Sequence, residues 1–248
     1  MDLQLQGKRA AVAAGSAGLG LGSARALVAE GVRVVICGRD EDRVRKAAAE
    51  LGDLATPLVA DVGNAHGGAA FIAAATEALG GLDIVVTNAG GPPPGTFATT
   101  DVDLYAGALD LNLLSVVGMC KAAVPAMQAQ GWGRVVAITS VSVRQPIPNL
   151  ILSNTARAGT TGFLKTLARE VAKDGVTVNS VQPGLHATDR IKQLYGDEPD
   201  GELLGIPAGF VGDADDFGAV VAFLCSDQAK FVTGVSIPVD GGSYGGLL

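Results

Sequence analysis

Short apolar runs alternate with amphipathic stretches along the whole chain. The apolar runs predict strands at 8–14, 33–37, 56–60, 82–87, 134–139, 176–181 and 235–239. The longer stretches, with apolar residues three and four apart, predict helices at 18–30, 41–51, 67–79, 153–173 and 213–226, and a long, mainly helical segment at 101–130. Strands that alternate with helices imply parallel βαβ units. The expected fold class is therefore α/β, a doubly wound parallel sheet with helices on both faces. Ligands of such sheets bind beyond the carboxyl ends of the strands, near the point where strand order reverses.

One stretch breaks the rhythm. Residues 188–212 join a strand to a helix and carry charged residues, Pro199, Pro207 and several Gly. A loop of that length in a compact domain is usually functional. It holds Tyr195 and the acidic run Asp197-Glu198-Pro199-Asp200. No linker, repeat or charge run divides the 248 residues, so a single domain over 1–248 is expected.

Composition narrows the function classes. The apolar share is 48%, ample for one large core, while aromatics are only 4% and Gly numbers 35. The net charge of −7 disfavours nucleic acid, whose binding needs a basic face. The apolar runs fall short of a membrane span, and the N-terminus lacks the basic and apolar regions of a signal peptide. The expectation is a cytoplasmic protein with no membrane and no nucleic-acid partner. Cys37, Cys120 and Cys225 sit in apolar stretches at no ligand spacing, so no metal site is expected.

Most candidate motifs follow directly after a predicted strand. They are Val12-Ala13-Ala14-Gly15-Ser16-Ala17-Gly18-Leu19-Gly20, Thr87-Asn88-Ala89-Gly90, Asn112, Thr139-Ser140-Val141-Ser142 and Pro183-Gly184. Together they resemble the short-chain dehydrogenase/reductase family from end to end, in its classical type, similar to 3-oxoacyl-carrier-protein reductases. The resemblance implies a single Rossmann-type domain, a nicotinamide cofactor, a small-molecule substrate covered by loop 188–212, and a homo-oligomer, dimer or tetramer.

On that resemblance, Ala14, Ser16, Gly18, Leu19 and Gly20 hold the pyrophosphate at a helix N-terminus. Ala14 replaces the family's first Gly, which is tolerable if its φ is negative. Asp61 and Val62 flank the adenine, Asn88 and Gly90 lie along the cofactor, and Pro183, Gly184 and Thr188 meet the nicotinamide. Gly38 stands where NAD users tend to carry an acid for the ribose 2′-hydroxyl. Arg39 follows, as in NADP users, so NADP is the expected cofactor. The side chain of Asp40 is expected on the other face.

The family's chemistry uses a Ser, a Tyr, a Lys and an Asn. Ser140, with Ser142 as a nearby alternative, and Asn112 match two of them. Where the Tyr and Lys would stand, this chain reads Ser153-Asn154-Thr155-Ala156-Arg157. Ser153 is too weak an acid for the Tyr role; it can bind substrate, hold a water, or merely cap a helix beginning near 154. Arg157 keeps a charge near the ribose but does not release a proton. His186, Tyr195 or water are the other candidate proton sources; a surface or loop position is the plainer expectation for His186. The resulting expectation is an NADP-dependent oxidoreductase acting on a small carbonyl or alcohol, or a polarised C=C or C=N bond, with an altered acid–base centre. The alternative is a catalytically impaired NADP-binding sensor or structural protein.

Overall fold

A computed structural model describes residues 1–188, 191, 196–197 and 199–247. Seven parallel strands form one sheet: β1 (Arg9–Val12), β2 (Arg33–Gly38), β3 (Ala55–Val59), β4 (Ile84–Thr87), β5 (Gly133–Ile138), β6 (Val176–Pro183) and β7 (Ser236–Val239). Their order is β3-β2-β1-β4-β5-β6-β7. The chain winds outward from β1 in one direction, then restarts beside β1 with β4. The switch point therefore lies between the carboxyl ends of β1 and β4, where this fold class places its ligands.

The helices are α1 (Gly18–Ala29), α2 (Glu41–Leu51), α3 (Ala65–Leu79), α4 (Asp103–Leu109), α5 (Ser115–Gln130), α6 (Ile151–Val171) and α7 (Ala214–Cys225). Side chains alternate across the sheet with period two, and both faces are covered. Ala11, Val35, Val85 and Val135 join a core with Phe71 of α3, Met119 of α5 and Leu164 of α6. Ala10, Val34, Ile84 and Val136 join a second core with Leu27 of α1, Val44 of α2 and Phe217 of α7. The two layers confirm the expected α/β fold, and the strand ends fall within a few residues of those read from the sequence.

The long helical segment differs in its middle. A π-helical turn, Asp110–Leu114, separates α4 from α5. Asn112 sits in that turn, is buried, and donates from Nδ2 to the Gly90 carbonyl at 2.9 Å. Such turns widen a helix locally and often mark functional positions. The stretch Asp103–Gln130 is long and apolar enough to cross a membrane, but half of its most apolar window is buried in this fold. Met119, Ala123 and Met127 explain that: they are core residues packed against α3 and the sheet.

Helix α6 starts earlier than the sequence suggests. Its first residue is Ile151 and Leu150 precedes it, so Ser153 lies inside the first turn and does not cap the helix. A tertiary contact sets that start: Gly95 pairs with Leu150, and Ile151 N donates to the Gly95 carbonyl at 3.3 Å.

Candidate active site

Helix α1 begins at Gly18, and Ala17 before it makes no side-chain capping bond. The first N–H groups of the helix are thus left to an outside acceptor, which is the arrangement that binds a phosphate. The loop leading to it is tightly folded. A methyl group at Gly20 would stand 2.4 Å from the Ala14 carbonyl oxygen, so only glycine fits there. Ala14 itself has φ 47°, in the left-handed region. The negative φ that would make alanine an easy replacement is absent, and the residue carries strain that glycine would not.

A cleft of about 500 Å³ opens beside this loop. Ala14, Ser16, Arg39, Asp61, Val62 and Gly90, all expected to touch cofactor, line it. Asn88 anchors the loop, with Nδ2 3.4 Å from the Ala14 carbonyl. Thr188 is brought against Gly18: a methyl group on Gly18 would lie 3.2 Å from Thr188 Cγ2. Pro183 pairs with Val239, and Gly184 N donates to the Val239 carbonyl at 3.0 Å. Leu19 packs partly into the second core, and its carbonyl accepts from Ser23 Oγ at 2.7 Å.

One expectation around this cleft needs correction. Asp40 does not turn away to the far face. It is the N-cap of α2, its carboxylate accepts from Arg43 N at 2.9 Å, and it lines the cleft. Arg43 also lines the cleft, although no motif singled it out. The signal available was its spacing: four residues after Arg39, in the first turn of the helix that begins beside the cleft.

Farther along, the strands β4 to β6 end in unmatched polar groups. Thr87 Oγ1, Asn112 Oδ1, Ser142 Oγ and both amide atoms of Gln182 are buried without a hydrogen-bond partner among the described residues. Buried polar atoms are usually satisfied, so such a concentration calls for a polar ligand or ordered water. Ser140 Oγ accepts from Ser142 N at 3.1 Å, which leaves its own hydrogen to donate. Ser153 is 8% exposed. Arg157 Nη1 donates to the carbonyls of Ile138 and Thr139 at 3.0 and 3.1 Å, the two residues before Ser140.

His186 is not on the surface. It is 4% exposed, packed edge-on against Phe217 with ring centroids 5.2 Å apart. Its Nδ1 is 3.3 Å from the Gly184 carbonyl. Burial pushes its pKa down, opposed by the Gly184 contact and by Asp213, Asp216 and Asp240. His186 pairs with Gly212, so the two ends of loop 188–212 are fastened together here. The ring's described contacts, to Gly184 and Phe217, involve none of the four catalytic candidates. Tyr195 lies outside the described residues. Burial pushes the thiols of Cys37, Cys120 and Cys225 up to about 12, so all three are inert as nucleophiles. No cluster of three or more metal-binding side chains occurs among the described residues.

Residues 13–244 match the family model described as enoyl-(acyl carrier protein) reductase. Over 242 residues the chain is 33% identical to the 3-oxoacyl-[acyl-carrier-protein] reductase FabG of Vibrio cholerae, covering 98% of this chain and 99% of that one. The chain belongs to the short-chain dehydrogenase/reductase family. Its members among the matched proteins are oxidoreductases. The L-sorbose reductase of Gluconobacter frateurii, solved with NADPH and L-sorbose, superposes with a TM-score of 0.91 at 29% identity and covers both chains fully. A short-chain oxidoreductase of Pseudomonas aeruginosa PAO1, solved with NADPH and described as containing an atypical catalytic centre, gives 0.90 at 29% identity, over 96% of this chain and 97% of that one.

Proposed function

We propose that this chain is an NADP-dependent oxidoreductase whose acid–base centre is rebuilt around Ser153 and Arg157. Its substrate is a small carbonyl or alcohol, or a polarised C=C or C=N bond. The observation that carries this reading is the cleft at the switch point, with Arg39 at its rim and Gly38 in place of an acid. The residues present fit a dinucleotide: an uncapped helix N-terminus for the pyrophosphate, open space at Gly90, and orphaned polar atoms at the strand ends. NADPH-bound relatives of the same fold, one with an atypical centre, support it.

When bound, the nicotinamide supplies or accepts the hydride. The chain's own residues handle the rest. Ser140, already accepting from Ser142 N, donates its hydroxyl hydrogen to the substrate oxygen. Arg157 fixes the end of β5, and so the position of Ser140, by its bonds to Ile138 and Thr139. Its permanent charge stabilises a developing oxyanion but transfers no proton. Ser153 and Asn112 Oδ1 hold the water that does, since an aliphatic hydroxyl is too weak an acid to replace a phenol.

A second reading, a dinucleotide-binding sensor or structural protein, is favoured by one observation: Arg157 Nη1 is committed to two main-chain carbonyls. Turnover of NADPH against a panel of carbonyls, enones and imines, with a binding titration alongside, separates the two. Tight binding with turnover supports the enzyme, and tight binding without turnover supports the sensor. Absence of binding refutes both. The homo-oligomer belongs to the same proposal: Phe231 and Leu247 are fully exposed on the C-terminal segment. A monomer in sedimentation at micromolar concentration would count against it.

A further inference from the structure

We propose that a second cleft, beside the edge strand β7, is a binding site for a small organic anion, a carboxylate on a short alkyl chain. It has a volume of about 410 Å³ and lies between α6, β6 and the start of β7. None of its lining residues belongs to the cofactor cleft or to the four catalytic candidates, so it stands apart from the NADP reading. Leu164, Val178 and Val235 form its apolar wall, and Arg144 and Lys165 supply two cations. No carboxylate lines it, and neither cation forms an ion pair among the described residues. In a chain with 25 acidic residues against 18 basic ones, two cations in one acid-free cleft point to an anion from outside.

The hydrogen bonds inside the cleft leave mainly donors. Each main-chain carbonyl of segment 234–236 is already taken. Lys165 Nζ donates to Gly234 at 2.8 Å, Ser180 N to Val235 at 2.9 Å and Arg144 Nη2 to Ser236 at 2.7 Å. An ammonium and a guanidinium each keep further N–H groups after one such bond. Ser180 Oγ and Ser236 Oγ share a single bond of 2.8 Å, which leaves one hydroxyl hydrogen to donate. The Tyr244 ring holds Arg144 in place, its centre 5.4 Å from the guanidinium carbon. Donors and positive charge at the head of the cleft match a carboxylate. Val235 is 38% exposed beside them, and an alkyl tail covers it where a bare inorganic anion would not.

Ligand-observed NMR titration of the full chain, without nucleotide, tests this with hexanoate, hexanol, hexylamine and acetate. Hexanoate should bind in the millimolar range or tighter. It should exceed hexanol by roughly 10-fold, and hexylamine by more, as charge-assisted hydrogen bonds imply. Acetate, which lacks the tail, should bind at least about 10-fold more weakly than hexanoate. Arg144→Gln should weaken hexanoate by roughly 10-fold, and Lys165→Gln, at an exposed position, by a few-fold, with hexanol unchanged in both. Lys165→Gln carries the test if loss of the Ser236 contact stops the other variant from folding. If hexanoate binds no better than hexanol, or binds both variants as tightly as the wild type, the site is wrong. A wild type that sediments as an oligomer and binds no hexanoate would make the cleft a contact between copies of the chain, and the proposal would fail. Neither failure touches the NADP reading, whose test is NADPH binding.

Discussion

Replacing Ala14 by glycine should stabilise the protein, against the usual direction of Ala→Gly changes. Ala14 has φ 47°, and its carbonyl is held in place by Asn88 Nδ2 at 3.4 Å and by the close approach of Gly20. A left-handed alanine costs roughly 1–2 kcal/mol, and glycine removes that cost. Against it stands the greater freedom glycine has in the unfolded chain, about 0.5–1 kcal/mol. The net gain is about 0.5–1 kcal/mol. For a chain of 248 residues that corresponds to roughly 1–4 °C in Tm. Urea unfolding followed by circular dichroism should show a raised midpoint with an unchanged slope. Ala13→Gly provides the opposite control: Ala13 is fully buried and has no positive φ, so the change should destabilise by at least 0.5–1 kcal/mol, roughly. If Ala14→Gly lowers the midpoint, or the two variants behave alike, the strain argument for this loop is wrong.

Other consequences are open to simpler tests. Arg39→Asp should erase or reverse the preference for NADPH over NADH in a fluorescence titration, and a wild type that prefers NADH would remove Arg39 from the site. Arg157→Ala should damage both cofactor binding and turnover, while Ser153→Ala should affect turnover only. Because Ser153 does not cap α6, its loss should leave stability nearly unchanged, and a drop of about 1 kcal/mol in urea unfolding would contradict this. His186 has a folded pKa held below its ordinary value by burial. Its stabilising contribution is therefore complete above about pH 6.5 and is lost as pH falls from there toward the folded pKa. Wild type and His186→Gln should differ in the slope of urea midpoint against pH between about 7.5 and 5.5, the variant being flatter. Parallel slopes would show that the ring titrates normally.

How much of this was legible in the sequence varies by element. The strands were, because each is a short apolar run, almost wholly buried in β1, β2, β4, β5 and β6. The start of α6 was not: Leu150, Ile151 and Leu152 read as an apolar run ending at a capping Ser153, and only the distant pairing of Gly95 with Leu150 moves the start forward. The π turn around Asn112 goes with a hydrogen bond to Gly90, a distant contact that no local periodicity encodes. His186 looks like a loop residue until Phe217, from a separate helix, packs against it. The residues expected at a cofactor were legible as motifs, and six of them line one cleft, whereas Arg43 needed the structure before it could be placed there.

The central claim is that the scaffold, the cofactor cleft and Ser140 are in place and that only the phenol acid of ordinary relatives and the ammonium that tunes it are absent. The double variant Ser153→Tyr with Arg157→Lys tests it most directly, measured as NADPH-dependent reduction of a panel of simple ketones. A phenol whose pKa a neighbouring ammonium lowers restores general acid catalysis, typically worth 10²–10⁴-fold, so the double variant should exceed the wild type by roughly 10²-fold or more. Each single variant should gain far less, since a Tyr beside Arg lacks the ammonium and a Lys beside Ser lacks the acid. A double variant that folds, binds NADPH as tightly as the wild type and reduces no ketone faster would contradict the claim.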